Sequence, residues 1–262
     1  MSNSNSTAIA LVANFKFLKN NFDRIYTQIR EVGMYKGDII LITTYFCPTF
    51  FFKSIRNDNQ VKVIRFNKIR FNNKTESILK KLDTYPDPNR HVTKNFQWHK
   101  INLFTTKLKK WKYIFYLDIN MHIHCDINPI LKLVPKEKFM ARADSYPKYD
   151  KTLESQFKKK NPYFINLENQ YNLKVSNYFQ TGVIFFDTKI VNKKTKSDII
   201  SLVEKFPISK TNEQGILNLY FLHTKKLYEE LPDEADGVIT YFYWKLKDKK
   251  VAITKATTTQ YK

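Results

Sequence analysis

A chain of 262 residues with 42% hydrophobic and 15% aromatic content has enough apolar material for a full core, which excludes a disordered chain and fits one large domain. Its formal charge of +21 attracts polyanions in general, yet Arg24, Arg30, Arg56, Arg65, Arg70, Arg90 and Arg142 are the only arginines among 45 basic residues spread along the whole length. Bidentate phosphate or guanine recognition favours arginine, so the charge reads as a solvated lysine surface with no specific nucleic acid, and a non-enzymatic polyanion-binding protein stays open as the alternative.

The polar start MSNSNST predicts a flexible tail over residues 1–7 ahead of a single domain over 8–262. It lacks the apolar core of a signal peptide. No apolar run reaches the length of about 18 residues expected of a transmembrane segment, and Cys47 and Cys125 show neither metal nor disulfide spacing. These features predict a soluble, cytoplasmic protein. Glycine is confined to Gly33, Gly37, Gly182, Gly215 and Gly237, which form no GxGxxG or Walker loop, and the sequence has no HExxH and no GxSxG. Dinucleotide dehydrogenases, P-loop NTPases, zincins and common serine hydrolases are poor candidates.

In chain order, Ala8 to Ala13 (AIALVA) has the length of a buried strand, and Leu18, Phe22, Ile25, Ile29 and Val32 follow at alternating steps of four and three, the period of an amphipathic helix. Gly33 and Gly37 punctuate its end, Asp38 leads into IILIT, and VKVIRF (Val61 to Phe66) reads as a third strand. Ile101, Phe104, Leu108 and Trp111 predict a helix that feeds YIFYLD, Tyr113 to Asp118. FMARAD and YFQTGVIFFD are strand-like, Asp198 to Phe206 is an amphipathic helix, and NEQGILNLYF starts another. Pro147 to Val175, polar and lysine-rich, is expected to form an insertion or flexible cover over a site. The order argues for an α/β fold with a parallel-dominated sheet flanked by helices.

In such sheets ligands bind outside the carboxyl ends of the strands, where YIFYLD meets its acid. From there Asp118, Asn120, His122, His124 and Asp126 share one parity, so an extended chain would put them on one face. They could be hard oxygen ligands for a divalent cation or the polar face of an edge strand, and the residues alone leave both open.

The segment HKINLFTTKLKKWKYIFYLDINMHIHCDINPIL resembles the TK…L…Y…YLDADxLVxxNIDxL block of the glycogenin and galactinol synthase-like retaining glycosyltransferases, family eight enzymes of the GT-A fold. MARAD is similar to their AAxD, YFQTGVIFFD to their xFNxGVxxxx, NEQGILN to their xDQxxLN, and AIALVANFKF to their nucleotide-binding first strand. The blocks occur in the family order from Ala8 to Asn218.

This resemblance implies a GT-A nucleotide-diphospho-sugar transferase fold, Rossmann-like with a mixed, mostly parallel sheet, and an enzyme that moves a hexosyl group with retention from a UDP-sugar to an acceptor that is glycan, protein or small molecule. It implies Asp118 and Asn120 as the DxD-type pair holding Mn2+ (or Mg2+), with Ile119 between them at the diphosphate. Ala13, Asn14 and Phe17 match the strand end that receives base and ribose. Lys100 matches a lysine reaching the donor phosphates, Asp144 an acid near the sugar, and Gln180, Thr181 and Gly182 the step beside the sugar. Glu213 and Gln214 match the pair at the anomeric carbon. A homodimer is left open.

The family's late histidine and HxxGxxKPW segment have no counterpart, because no histidine follows His223 and no proline follows Pro232. Lys255, in VAITKATTTQYK, is a candidate to place charge on the leaving diphosphate. A sugar-phosphate nucleotidyltransferase would need a glycine-rich loop where ANFKFLKN has none, and a degenerate transferase that binds donor without turnover stays open.

Overall fold

Runs of apolar residues without polar alternation suit strands buried on both faces, and the computed structural model, which describes residues 7–82, 96–247, 249–255 and 259–260, places such runs at its centre. The strands are β1 (Thr7–Val12), β2 (Ile39–Thr44), β3 (Val61–Phe66), β4 (Tyr113–Leu117), β5 (His122–Ile123), β6 (Phe139–Ala143), β7 (Phe179–Asp187), β8 (Tyr228–Glu230), β9 (Glu234–Ala235), β10 (Val238–Phe242), β11 (Lys245–Leu246), β12 (Val251–Thr254) and β13 (Thr259–Gln260). The main sheet has the order β3-β2-β1-β4-β7-β6-β8. Neighbours among β3, β2, β1 and β4 are parallel, β7 runs antiparallel to both β4 and β6, and β8 is parallel to β6. A smaller sheet has the order β5-β12-β10-β9.

Alternate residues of each central strand enter opposite core layers. Ala8, Ala10, Ile40, Ile42, Ile114 and Tyr116 face Phe104, Val203 and Leu217. Ile9, Leu11, Ile39, Leu41, Phe115 and Leu117 face Leu18, Phe22 and Ile25. Those last three lie on α1 (Phe15–Thr27), which Asn14 caps by accepting the Phe17 N–H at 2.9 Å. Each is fully buried and contributes on the order of 2 kcal/mol through removal from water. The other α-helices among the described residues are α2 (Lys53–Asn57), α3 (Asn73–Leu82), α4 (Asn128–Leu131), α5 (Tyr163–Glu168), α6 (Thr195–Lys205) and α7 (Glu213–Leu217). Among the described residues no helix is long and apolar enough to cross a membrane.

Several expectations are corrected. Residues 1–6 lie outside the described residues, but Thr7, assigned to the tail, already pairs with Tyr113 in β1. Val32 is 37% exposed because the chain passes into a π-helical turn over Gln28–Val32, which rotates Val32 off the buried stripe. The helix expected from Ile101 is instead two 3-10 segments, Trp98–Leu103 and Thr106–Leu108. Every residue from Trp98 to Leu103 is buried, so packing on all sides overrides the local period.

Residues Pro147 to Val175 are no loose cover. Leu153, Phe157 and Leu167 are fully buried, the Leu153 N–H bonds Val175 O at 2.9 Å, and the Lys158 N–H bonds Ile208 O at 3.0 Å. The stretch after Asp118 is extended only at β5, since the Met121 N–H returns to Asp118 O at 2.9 Å and closes a turn.

Candidate active site

Strand β4 is apolar through Leu117 and ends against Asp118, whose N–H bonds Gly182 O at 2.8 Å. The antiparallel register Leu117↔Val183 sets Gly182 beside it. A Cβ on Gly182 would lie 2.3 Å from Met121 Cε and 2.8 Å from Gln180 Oε1, so the missing side chain permits the close approach of β7 to the turn after Asp118.

Lys100 reaches the same point from the first 3-10 segment. Its ammonium lies 2.9 Å from Asp118 Oδ1 and 2.7 Å from Glu213 Oε1, and it donates to Thr181 O and Oγ1 at 3.3 Å. Burial disfavours this ammonium, but the carboxylates of Asp118 and Glu213 prevail and raise its pKa above the ordinary lysine value. Burial would likewise raise the Asp118 carboxyl. Lys100, Lys255 and the Tyr116 hydroxyl, which donates to Asp118 Oδ1 at 2.5 Å, instead hold it well below the usual carboxylate range.

Glu213 and Gln214 open α7. The residue before them, Asn212, has φ 53° and ψ −119°, a backbone conformation that side chains other than glycine rarely adopt and that persists only where surrounding contacts enforce it. Asn212 Nδ2 donates to Gln97 Oε1. Glu213 accepts the Thr181 hydroxyl at 3.0 Å, and Gln214 Oε1 accepts the Thr181 N–H at 3.2 Å. Gln214 Nε2 donates to Gln156 Oε1 at 3.0 Å, while Tyr178 OH donates to Asp144 Oδ2 at 2.9 Å, so Asp144 sits at the far end of one polar network. Gln180 Oε1 accepts the Gly182 N–H at 2.7 Å.

These groups line one cavity of about 820 Å3, shared by Lys100, Asp118, Asp144, Gln180, Thr181, Gly182, Glu213, Gln214 and Lys255. Its other wall is aromatic, with Tyr146, Tyr241, Phe242, Tyr243 and Trp244. Ala13, Asn14 and Phe17 are not among the lining residues. The Ala13 carbonyl accepts the Thr43 hydroxyl at 2.7 Å and the Asn14 side chain is used as the cap of α1. Ile119 is buried beneath the turn, and Asn120 meets the cavity through Lys255.

Two positions were missed from the sequence. Arg24, on α1, donates to Met121 O at 2.7 Å and Ile119 O at 3.3 Å, clamping the turn after Asp118 from behind. Arg142, 1% exposed at the register shift between β6 and β7, lies 3.6 Å from the Tyr146 ring centroid and donates to Leu231 O at 2.8 Å. A lone arginine on a helix face reads as solvated, and only the apolar neighbours of Arg142 in FMARAD hint at burial.

The oxygens expected to hold Mn2+ or Mg2+ do not fit a divalent cation. Asp118 Oδ1 is taken by Lys100 and Tyr116, Asp118 Oδ2 accepts Lys255 at 2.9 Å, and Asn120 Oδ1 accepts the same ammonium. Among the described residues no three His, Cys, Asp or Glu side chains converge as a metal site, whereas hard divalent cations need a shell of oxygen ligands.

No protein-family profile matches the chain, and no curated protein matches it by sequence. Solved structures do share its fold. The galactosyltransferase LgtC, crystallised with donor and acceptor sugar analogs, superposes with a TM-score of 0.54 at 14% identity over 94% of this chain and 86% of that one. An active-site mutant of LgtC gives a TM-score of 0.53 at 13% identity over 82% and 70%. Glycosyltransferase GlyE of Streptococcus pneumoniae TIGR4 aligns at 15% identity and a TM-score of 0.48 over 86% of this chain, which spans 45% of the length of GlyE. At 13–14% identity the likeness to LgtC shows the architecture, a GT-A-like α/β fold.

Proposed function

We propose that the chain is a glycosyltransferase that moves a hexosyl group from a nucleotide-sugar donor, a UDP-sugar, to an acceptor with retention of configuration, as in the glycogenin and galactinol synthase-like enzymes it resembles. One observation carries the reading. Three blocks far apart in sequence deliver Lys100 with Asp118, Thr181 with Gly182, and Glu213 with Gln214 to a single cavity at the carboxyl end of β4, the place where α/β sheets bind nucleotides.

Breaking a glycosyl–phosphate bond builds negative charge on the departing phosphate oxygen while the sugar becomes oxocarbenium-like. Lys100, held by Asp118, Glu213 and Thr181, is an ammonium fixed in direction before the donor arrives, and such preorganised charge lowers a barrier most where charge develops. Glu213 and Gln214, kept in place through Thr181 and Gln156, present a carboxylate and an amide to the anomeric centre. The aromatic wall offers flat apolar faces to the acceptor.

The test is thermal protection of the purified protein across a panel of nucleotide sugars, followed by detection of free nucleotide released by slow donor hydrolysis. A ligand bound only by the native state raises its apparent stability by mass action. Protection by UDP-sugars with nucleotide release is expected. Protection by none of the nucleotide sugars overturns the reading, and protection without release identifies a binding protein that has lost turnover.

A further inference from the structure

We infer that Lys255 takes the part of the divalent cation, so that the site binds the donor diphosphate through two lysines without metal. This rests on the donor reading above. Asp118 Oδ2 and Asn120 Oδ1, the two oxygens that would share a bridging ion, converge on one Lys255 ammonium. Asn120 is neutral where a second carboxylate would strengthen a cation site, and an amide oxygen suits an N–H donor equally well. Lys100 holds the opposite oxygen of Asp118. Lys100 and Lys255 with Asp118 and Glu213 already sum to zero formal charge, so a divalent ion on the same oxygens would have to displace the Lys255 ammonium and would still face the Lys100 ammonium across Asp118.

The backbone delivers Lys255 to this point. Strand β12 pairs antiparallel with β5 in the register Ile253↔Ile123 and Thr254↔His122, so the residue after Thr254 falls beside the turn that carries Asn120. The Lys255 N–H bonds Tyr243 O at 3.1 Å, which anchors the position to the segment after β10. Its side chain is 24% exposed and lines the cavity. An ammonium has three N–H donors. Two serve Asp118 and Asn120, and the third is suited to a phosphate oxygen.

Calorimetric titration with UDP tests this, once in EDTA and once with excess manganese, alongside electron paramagnetic resonance of manganese added without nucleotide. The expected result is UDP binding of the same affinity within about twofold in both buffers, with no bound-manganese signal. Lys255→Met, which keeps the aliphatic stem, should weaken UDP binding in EDTA by about tenfold or more, the scale of one charged hydrogen bond. Lys255→Arg should retain most of it. Circular dichroism of each variant identifies any that fails to fold, and the comparison of the two buffers on the unaltered chain stands without them. UDP binding that requires manganese overturns the inference and leaves the donor reading intact. UDP binding in neither buffer overturns both.

Discussion

Removing the Lys100 ammonium tests how the cavity is held together. Lys100→Met keeps the apolar stem and deletes the charge between Asp118 and Glu213. Glu213, whose side chain is 3% exposed, loses its cation and keeps only the Thr181 hydroxyl, while Asp118 retains Lys255 and Tyr116. Breaking a buried ion pair by removing one partner costs about 3–5 kcal/mol because the other charge is left uncompensated. With Asp118 still paired, the lower end applies, about 3 kcal/mol. Adding Glu213→Gln removes the stranded charge and should recover about 2 kcal/mol of that stability but none of the lost turnover. Urea unfolding measures the first effect as a shift in midpoint at constant slope. Donor hydrolysis measures the second, with a loss of about a hundredfold expected from one preorganised charge at the leaving group. A Lys100→Met protein within about 1 kcal/mol of the parent, or a double variant no more stable than the single one, would refute the ion-pair account.

Gly182→Ala drives a methyl to 2.3 Å from Met121 Cε, itself 1% exposed, and should cost about 1–3 kcal/mol and most of the hydrolysis rate. Met121→Ala in the same chain should restore part of the stability, and no restoration would place the strain elsewhere. Arg24→Ala frees the carbonyls of Ile119 and Met121, and the turn after Asp118 should show faster amide exchange and weaker UDP binding although Arg24 lies outside the cavity. For pH, burial of His99, together with Lys196 and Lys68, pushes its ring down to about 4 from 6.5. The unfolded chain therefore takes up a proton that the folded one refuses, so the stability from this neutral ring is full above pH 6.5 and is lost as pH falls toward 4. The urea midpoint should drop across that window, and His99→Gln should flatten the drop.

The sheet was legible because its central strands are buried on both faces and therefore appear as unbroken apolar runs, with Asp118 as the first polar residue after one of them. The pairings that complete the site were not. Lys255 and Asp118 are 137 residues apart, and only the antiparallel register of two short strands brings them together. The expected helix at Ile101 failed for a related reason. Ile101, Phe104, Leu108 and Trp111 are all buried, as their spacing suggested, but Trp98 to Leu103 is buried without a break, and spacing cannot distinguish a stripe from a segment enclosed all round. The aromatic content of Pro147 to Val175 was the available sign that it packs, since Phe157 and Phe164 have no reason to sit in an open cover.

The pairing of β5 with β12 carries a further consequence. A slip of one residue between two strands reverses which face each side chain points to. Here such a slip would turn Lys255 away from Asp118 and, with it, Ile253 and Ile123 out of the core layer they share with Leu11 and Phe115. The electrostatics of the cavity are thus tied to an alignment that the core itself enforces, and substitutions at Ile123, Thr254 or Ile253, all buried, act on fold and chemistry together.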